Sequence, residues 1–249
     1  MKRPYFFPMI TAWICFFCLA AGAVHAQPSV VGLWEFSQAA NLTKASVGSD
    51  LVLIGEQRTV TGIRSGDGAV EIPTGSYYQA NHGIVANGGG NYVNEFTLVF
   101  DFRLPALGVW YSFYNTDSAN SNDGEAFVNP SGNIGVGDTG YSAQAIADQT
   151  WYRLVITANL SAGGLNYYLD GSLLLASKGR GTDDRFSWYT ANDETPWVVL
   201  LGDNDGDDAA IQVSTLAIFD VMLNPLEVAD LGKAGDPVVV QPHDLVAPD

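Results

Sequence analysis

Cysteine is almost missing from this chain. There are two, Cys15 and Cys18, and both fall within an apolar run at residues 9–23, "MITAWICFFCLAAGA". Lys2 and Arg3 precede that run, and Val24-His25-Ala26 closes it with a small-x-small pattern before Gln27. This is the layout of a secretory signal peptide cleaved after Ala26. The run falls short of the roughly 20 residues that span a bilayer. A chain beginning at Gln27 contains no cysteine. Thiolate metal sites, cysteine nucleophiles and redox chemistry are thereby excluded. The expected location, secreted or periplasmic, permits disulfides, yet the chain has none to make.

Positive charge is also scarce. Lys and Arg number 11 against 27 Asp and Glu, for a net charge of −16. Loss of Lys2 and Arg3 with the signal moves it by two, to −18. Such a surface repels phosphate backbones and anionic lipids, so neither nucleic acid nor a membrane surface is an expected partner. Beyond residue 26 no stretch is long and apolar enough to cross a bilayer.

Histidine is nearly as rare. Beyond the signal only His82 and His243 remain, and His243 lies in a proline-bearing tail. A Ser-His-Asp arrangement would rest on His82 alone, and no Gly-x-Ser-x-Gly elbow accompanies it. No Glu-x-Asp-x-x-Glu run offers a close acid and nucleophile for glycoside hydrolysis. With no recognisable catalytic motif, the chain is not expected to be an enzyme.

Period-2 alternation is abundant. In "FTLVFDFRL", Phe96, Leu98, Phe100, Phe102 and Leu104 share one face, with Val99 the exception on the other. This predicts a half-buried strand. "WYRLVITANL" (151–160) alternates likewise, grouping Tyr152, Leu154, Ile156 and Ala158. Asp170-Gly171 separates two β-favouring runs and predicts a two-residue hairpin. Further strands are expected at 30–36, 51–55, 58–64, 68–73, 76–80, 108–115, 125–129, 133–137, 196–202 and 210–219. One helix is expected, with Asn224 as N-cap, Pro225 at N1, Glu227 at N3 and Gly232 closing it. The pattern predicts an all-β, two-sheet antiparallel sandwich of the jelly-roll kind with one short C-terminal helix. The expected domain is 27–235, followed by an extended or disordered tail at 236–249.

"VVGLWEF", "NEFTLVFDFRLP", "WYRLVITANLSAGGLNYYLDGSLL" and "STLAIFDVMLNPLEVADLGKAG" follow one another in an order that resembles the laminin-G-like, concanavalin-A-like jelly rolls, pentraxin-like modules included. The resemblance covers about residues 30–235. It implies two packed antiparallel sheets, glycan binding in many relatives and often a structural calcium. It does not fix a function, since this fold carries lectins, hydrolases, lyases and inert spacers.

Glycan recognition needs aromatic faces to stack on and Asn or Asp side chains for hydroxyls. The segment 185–197 offers Trp188, Tyr189, Asn192 and Asp193. Tyr141 stands in a turn, and Asn122 and Asp123 lie in the Asn/Asp/Ser-rich loop 115–133. Trp188 and Tyr189 are expected at the surface beside a shallow pocket, whereas Trp34, Trp151 and Trp197 lie in strand patterns and are expected in the core.

The stretch "GDNDGDD" (202–208) places Asp203, Asp205 and Asp207 at alternate positions. Counted as an EF-hand from Asp203, it has Asp208 where the sharp turn needs glycine and Ser214 where a bidentate Glu is needed. It is not an EF-hand. Two readings stay open, a solvated hairpin connection and a weak calcium site. The expected function is a secreted non-catalytic binding module for a glycan, calcium-assisted. The alternatives are a structural or protein-interaction module of an extracellular assembly and, behind it, a hydrolase or lyase on the same fold.

Overall fold

A computed structural model describes residues 28–240. The signal segment, Gln27 as a mature terminus, and the tail from 241 onward lie outside the described residues. Fifteen strands and one helix are found there: β1 (Val30–Trp34), β2 (Val52–Ile54), β3 (Arg58–Thr59), β4 (Val70–Ile72), β5 (Tyr77–Asn81), β6 (Glu95–Arg103), β7 (Tyr111–Asn115), β8 (Ala126–Val128), β9 (Asn133–Val136), β10 (Gly140–Ala145), β11 (Trp151–Asn159), β12 (Gly164–Leu169), β13 (Ser172–Ser177), β14 (Trp197–Leu200), β15 (Ile211–Phe219) and α1 (Pro225–Asp230).

The strands form two antiparallel sheets. One has eight strands in the order β13-β12-β11-β6-β15-β4-β3, with β1 also paired to β15. The other has seven, in the order β10-β9-β8-β7-β14-β5-β2. The all-β two-sheet sandwich with one short helix is therefore the fold. Of these strands, β10 carries no clear alternation, and the sequence pattern does not announce it.

Alternation along β6 and β11 fills the space between the sheets. Phe96, Phe100, Phe102, Leu154, Ile156, Leu169 and Leu216 are all buried there. Phe102 meets Phe113 of the opposite sheet edge-on, with ring centroids 4.9 Å apart. Trp34 is fully buried, while Trp151 and Trp197 are only half-buried.

Val99 has its own explanation. It joins Val155, Tyr168, Ala217 and Phe219 on the outer face of the eight-stranded sheet, beneath Leu223, Val228 and Leu231. That face is not solvated, because α1 covers it. The helix is built as its sequence predicts: Asn224 Oδ1 accepts from the Leu226 and Glu227 N–H groups, and Glu227 Oε2 accepts from the Asn224 N–H. Val238 and Val240 pack against the same cluster.

The turn at Asp170-Gly171 joins β12 to β13 as a hairpin, with both residues at positive φ, 47° and 78°. "GDNDGDD" differs from expectation. It connects β14, in the seven-stranded sheet, to β15, in the eight-stranded sheet. It is a crossover between the sheets and not a hairpin. β-propensity before and after a turn cannot tell the two apart, because both flanking strands look alike to the local sequence.

Candidate functional site

Three loops, 82–94, 116–125 and 178–196, lie at one end of the seven-stranded sheet, where β5 and β7 finish and β14 begins, while the crossover loop 201–210 leaves β14 at its other end. The loop after β7 is braced by Asp117, whose carboxylate accepts from the N–H groups of Ala119 (3.0 Å) and Ser121 (2.8 Å) and from Asn122 Nδ2 (3.2 Å). These contacts hold its pKa below the ordinary carboxylate range despite burial. The crossover loop is tied to it. Asp203 Oδ1 accepts from the Gly124 N–H at 2.7 Å, and Asn120 Nδ2 donates to the Asp203 carbonyl at 3.2 Å.

The aromatic wall is set by strand-like alternation. Val93 and Trp188 form a two-way backbone bridge, with N···O distances of 2.9 and 3.1 Å. Both side chains point inward, so their neighbours Tyr92 and Tyr189 point outward. Tyr92 is 36% and Tyr189 40% exposed. Their rings meet edge-on at 5.8 Å with an interplanar angle of 88°. Trp188 is 1% exposed. It stacks on Phe96 at 3.9 Å and lies 5.2 Å from His82. The expectation of a surface Trp188 is therefore wrong. In Phe186-Ser187-Trp188-Tyr189-Thr190 every second residue is buried, and the pairing with Val93 decides which set.

Beside the tyrosines opens a recess of about 590 Å³. Thr116, Asp117, Asn122, Asp123, Glu125 and Arg185 contribute to its walls, together with Asp184, Ser187 and Asn204. Arg185 organises it. Nε donates to Glu125 Oε2 at 2.7 Å, Nη1 to Asp138 Oδ2 at 2.9 Å and Nη2 to the Gly124 carbonyl at 3.2 Å. Thr116 Oγ1 lies 2.9 Å from Glu125 Oε1. Burial pushes Glu125 up to about 7, against the pull of Arg185.

A second recess of about 310 Å³ shares Asp123 and Arg185 with the first. Trp110, Phe127 and Tyr141 supply its aromatic side, with Trp110 and Tyr141 ring centroids 6.0 Å apart. Asp205 and Asp207 line it too. With Asp203 they bring one carboxylate oxygen each within 4.8 Å of one another. Burial, followed by hydrogen bonding to Asp205, pushes Asp203 up to about 6. Burial and the charges of Asp205 and Asp123 raise Asp207.

Of the residues expected to bind, Tyr189, Asn122 and Asp123 line the first recess and Tyr141 the second. Asn192 and Asp193 line neither. Asp193 Oδ2 accepts from the Thr190 N–H at 2.6 Å and from its hydroxyl at 2.9 Å, so it shapes the turn instead. Tyr92, Trp110, Glu125 and Arg185 were not anticipated. Tyr92 sits in a Gly/Asn-rich loop, and nothing local marks Arg185 as the partner of an acid 60 residues away. His82 is buried, accepts from the Ile84 N–H at its own turn (3.0 Å), and is lowered by burial to about 4.

No family model and no curated protein matches the chain. Solved structures do. Domain 4 of AbnA, a GH43 extracellular arabinanase from Geobacillus stearothermophilus, in complex with arabinotriose, is similar with a TM-score of 0.59 at 14% identity, covering 82% of this chain and 98% of that one. The binding domain of botulinum neurotoxin serotype G is similar with a TM-score of 0.56 at 14% identity. The receptor binding domain of botulinum neurotoxin D gives 0.54 at 15%. This chain covers 82% of its own length in both matches and spans about half of those toxin chains. At such identities the likeness establishes the β-sandwich fold and nothing finer.

Proposed function

We propose that this protein is a secreted, non-catalytic glycan-binding module of the laminin-G-like jelly-roll type. The observation that carries the proposal is the Tyr92–Tyr189 pair standing over a recess walled by Asp, Asn, Ser and Thr side chains. Rigid aromatic edges beside convergent hydroxyl partners suit a sugar ring, which is apolar on its faces and polar around its rim. The arabinotriose complex of the AbnA domain supports the same ligand class on the same fold.

Calcium belongs to this proposal. Asp203, Asp205 and Asp207 present oxygens only, a donor set that favours calcium over transition metals. Burial first and the neighbouring carboxylates second raise Asp203 and Asp207, and a divalent cation would relieve the repulsion among them. Asp205 and Asp207 border the second recess, so an ion held there would brace the loop beside the ligand. The likeness to the receptor binding domain of botulinum neurotoxin D favours, as a second reading, an extracellular protein partner on the same face.

A glycan panel titrated into the purified protein, with calcium and with EDTA, tests the first reading. Binding that Tyr189→Ala removes supports it. A blank against every glycan, together with capture of one extracellular protein through Tyr189, would replace it with the second.

A further inference from the structure

The two recesses adjoin. Asp123 and Arg185 line both, and chain neighbours divide between them: Glu125 and Asn204 border the first, Gly124 and Asp205 the second. Arg185 forms the saddle, with its side chain 34% exposed. Its Nε, Nη1 and Nη2 each hold one partner, Glu125, Asp138 and the Gly124 carbonyl. A guanidinium has five N–H donors, so two remain for a group lying across it.

Each recess has an aromatic side of its own. Tyr92 and Tyr189 border only the first, and Trp110, Phe127 and Tyr141 only the second. Strand register builds the second one. Phe127, Gly135 and Tyr141 stand opposite one another across β8, β9 and β10, so they share a face. Val128 and Ile134 take the other face and are fully buried between the sheets. Gly135 places no side chain between Phe127 and Tyr141, and a Cβ there would lie 2.1 Å from the Gly140 carbonyl oxygen. The Trp110 ring stands 6.0 Å from those of both Phe127 and Tyr141. Trp110 and Tyr141 are half-buried, and neither Trp110 Nε1 nor the Tyr141 hydroxyl has a hydrogen-bond partner among the described residues. Each offers an apolar ring and a free polar edge.

We propose that both recesses form one site, and that its ligand is a neutral linear oligosaccharide crossing Arg185. One sugar lies against Tyr92 and Tyr189 and another against Trp110 and Tyr141. This rests on the glycan reading above and deepens it. A single ring reaches one aromatic group only, because Arg185 and Asp123 stand between them. Linking two rings makes the second contact intramolecular and strengthens binding. The free guanidinium N–H groups meet hydroxyls at the crossing. Charge selects a neutral chain, since Asp123, Glu125, Asp138, Asp205 and Asp207 surround the one cation lining either recess, Arg185. A polyanionic chain is repelled there.

The test is calorimetric titration of the purified protein, in millimolar calcium, with neutral di- and hexasaccharides of α-1,5-arabinan, β-1,4-xylan, β-1,4-glucan and β-1,3-glucan, and with a hexagalacturonide. The expected result, in at least one neutral series, is one hexasaccharide per protein chain, bound roughly tenfold more tightly than its disaccharide. Tyr189→Ala and Gly137→Leu should each lower the hexasaccharide to about the affinity of the disaccharide. Gly137 borders the second recess, is exposed and is not at positive φ. A Cβ there meets nothing within 4 Å, so leucine fills the recess without straining the fold. Trp110→Ala should reproduce the loss by removing a wall, with the melting curve of each variant confirming that it folds. A hexasaccharide gain that survives both Gly137→Leu and Trp110→Ala comes from several registers in the first recess and overturns the proposal, while glycan binding stands. Two hexasaccharides per chain, one lost with Tyr189→Ala and the other with Gly137→Leu, are separate sites and also overturn it. Binding of the hexagalacturonide alone overturns the neutral chain, and a blank against every sugar removes the glycan reading itself.

Discussion

Arg153 and Asp101 stand directly opposite each other on β11 and β6 and are joined by two parallel hydrogen bonds, Nε to Oδ1 at 2.7 Å and Nη2 to Oδ2 at 2.8 Å. Both side chains are fully buried. Arg153 also donates to the carbonyls of Leu231 and Asp236, and the Gly235 N–H donates to Asp101 Oδ2 at 3.0 Å. One ion pair therefore clamps the segment after α1 onto the outer face of the eight-stranded sheet. Arg153→Met would leave Asp101 charged and unpaired in the interior, at a cost of about 3–5 kcal/mol. Adding Asp101→Leu should recover much of that loss. Urea unfolding of the two variants checks it, and a loss below about 1 kcal/mol for the single change would show that the clamp contributes nothing.

Trp188 and Tyr189 are neighbours with opposite duties. Trp188→Ala removes a ring stacked on Phe96 and should cost about 3–5 kcal/mol of stability, as large-to-small core changes do. Tyr189→Ala should leave the melting temperature nearly unchanged and weaken glycan binding about tenfold. Equal losses of stability in the two variants would show that Tyr189 is also part of the core.

Glu125 and Asp203 both have raised pKa values, from ordinary values of 4.5 and 3.8 to about 7 and about 6. Their ionised forms are thus disfavoured by folding. Their contribution to stability is present below about pH 4 and is lost as pH rises through 6 and 7. His82, lowered from 6.5 to about 4, works the other way, since its contribution is lost as pH falls from 6.5 toward 4. Variants separate the two. The stability of the protein relative to Glu125→Gln should fall between pH 5 and pH 8. A relative stability that instead rises over that range would mean that the pull of Arg185 outweighs burial.

Calcium should raise the melting temperature. With a dissociation constant on the order of 10⁻⁴–10⁻³ M, as extracellular modules have, millimolar calcium is needed. The double change Asp205→Asn with Asp207→Asn should abolish the rise. Identical melting curves in calcium and EDTA would make the carboxylates a solvated crossover loop.

Phe100→Ala should cost about 3–5 kcal/mol, because the ring is fully buried and packs on Phe113 at 5.2 Å. A loss under about 1 kcal/mol would place that face of β6 outside the core.

Local order was legible in the residues themselves. Alternation in "FTLVFDFRL" and "WYRLVITANL" predicted which side chains of β6 and β11 fill the space between the sheets, because a strand sends neighbours to opposite faces whatever lies around it. Asp170-Gly171 predicted its hairpin and Asn224-Pro225-Leu226-Glu227 its capped helix, since both devices are complete within four residues. Tyr189, Asn122 and Asp123 were legible as polar-aromatic loop residues, whereas Tyr141, expected in a turn, lies in β10 paired to Gly135 of β9, in a strand without alternation to announce it. What joined them was not. Whether Trp188 or Tyr189 faces inward is set by Val93, 95 positions earlier in the chain. Arg185 finds Glu125 and Asp138 only after the loops converge. The exception at Val99 became a second apolar cluster because α1 folds back over it. "GDNDGDD" became a crossover because β14 and β15 belong to different sheets. Sequence determines a residue's face and its local turn through backbone geometry. Only the packing of distant segments decides which of those faces is covered, which charges are paired and which are left to meet a ligand.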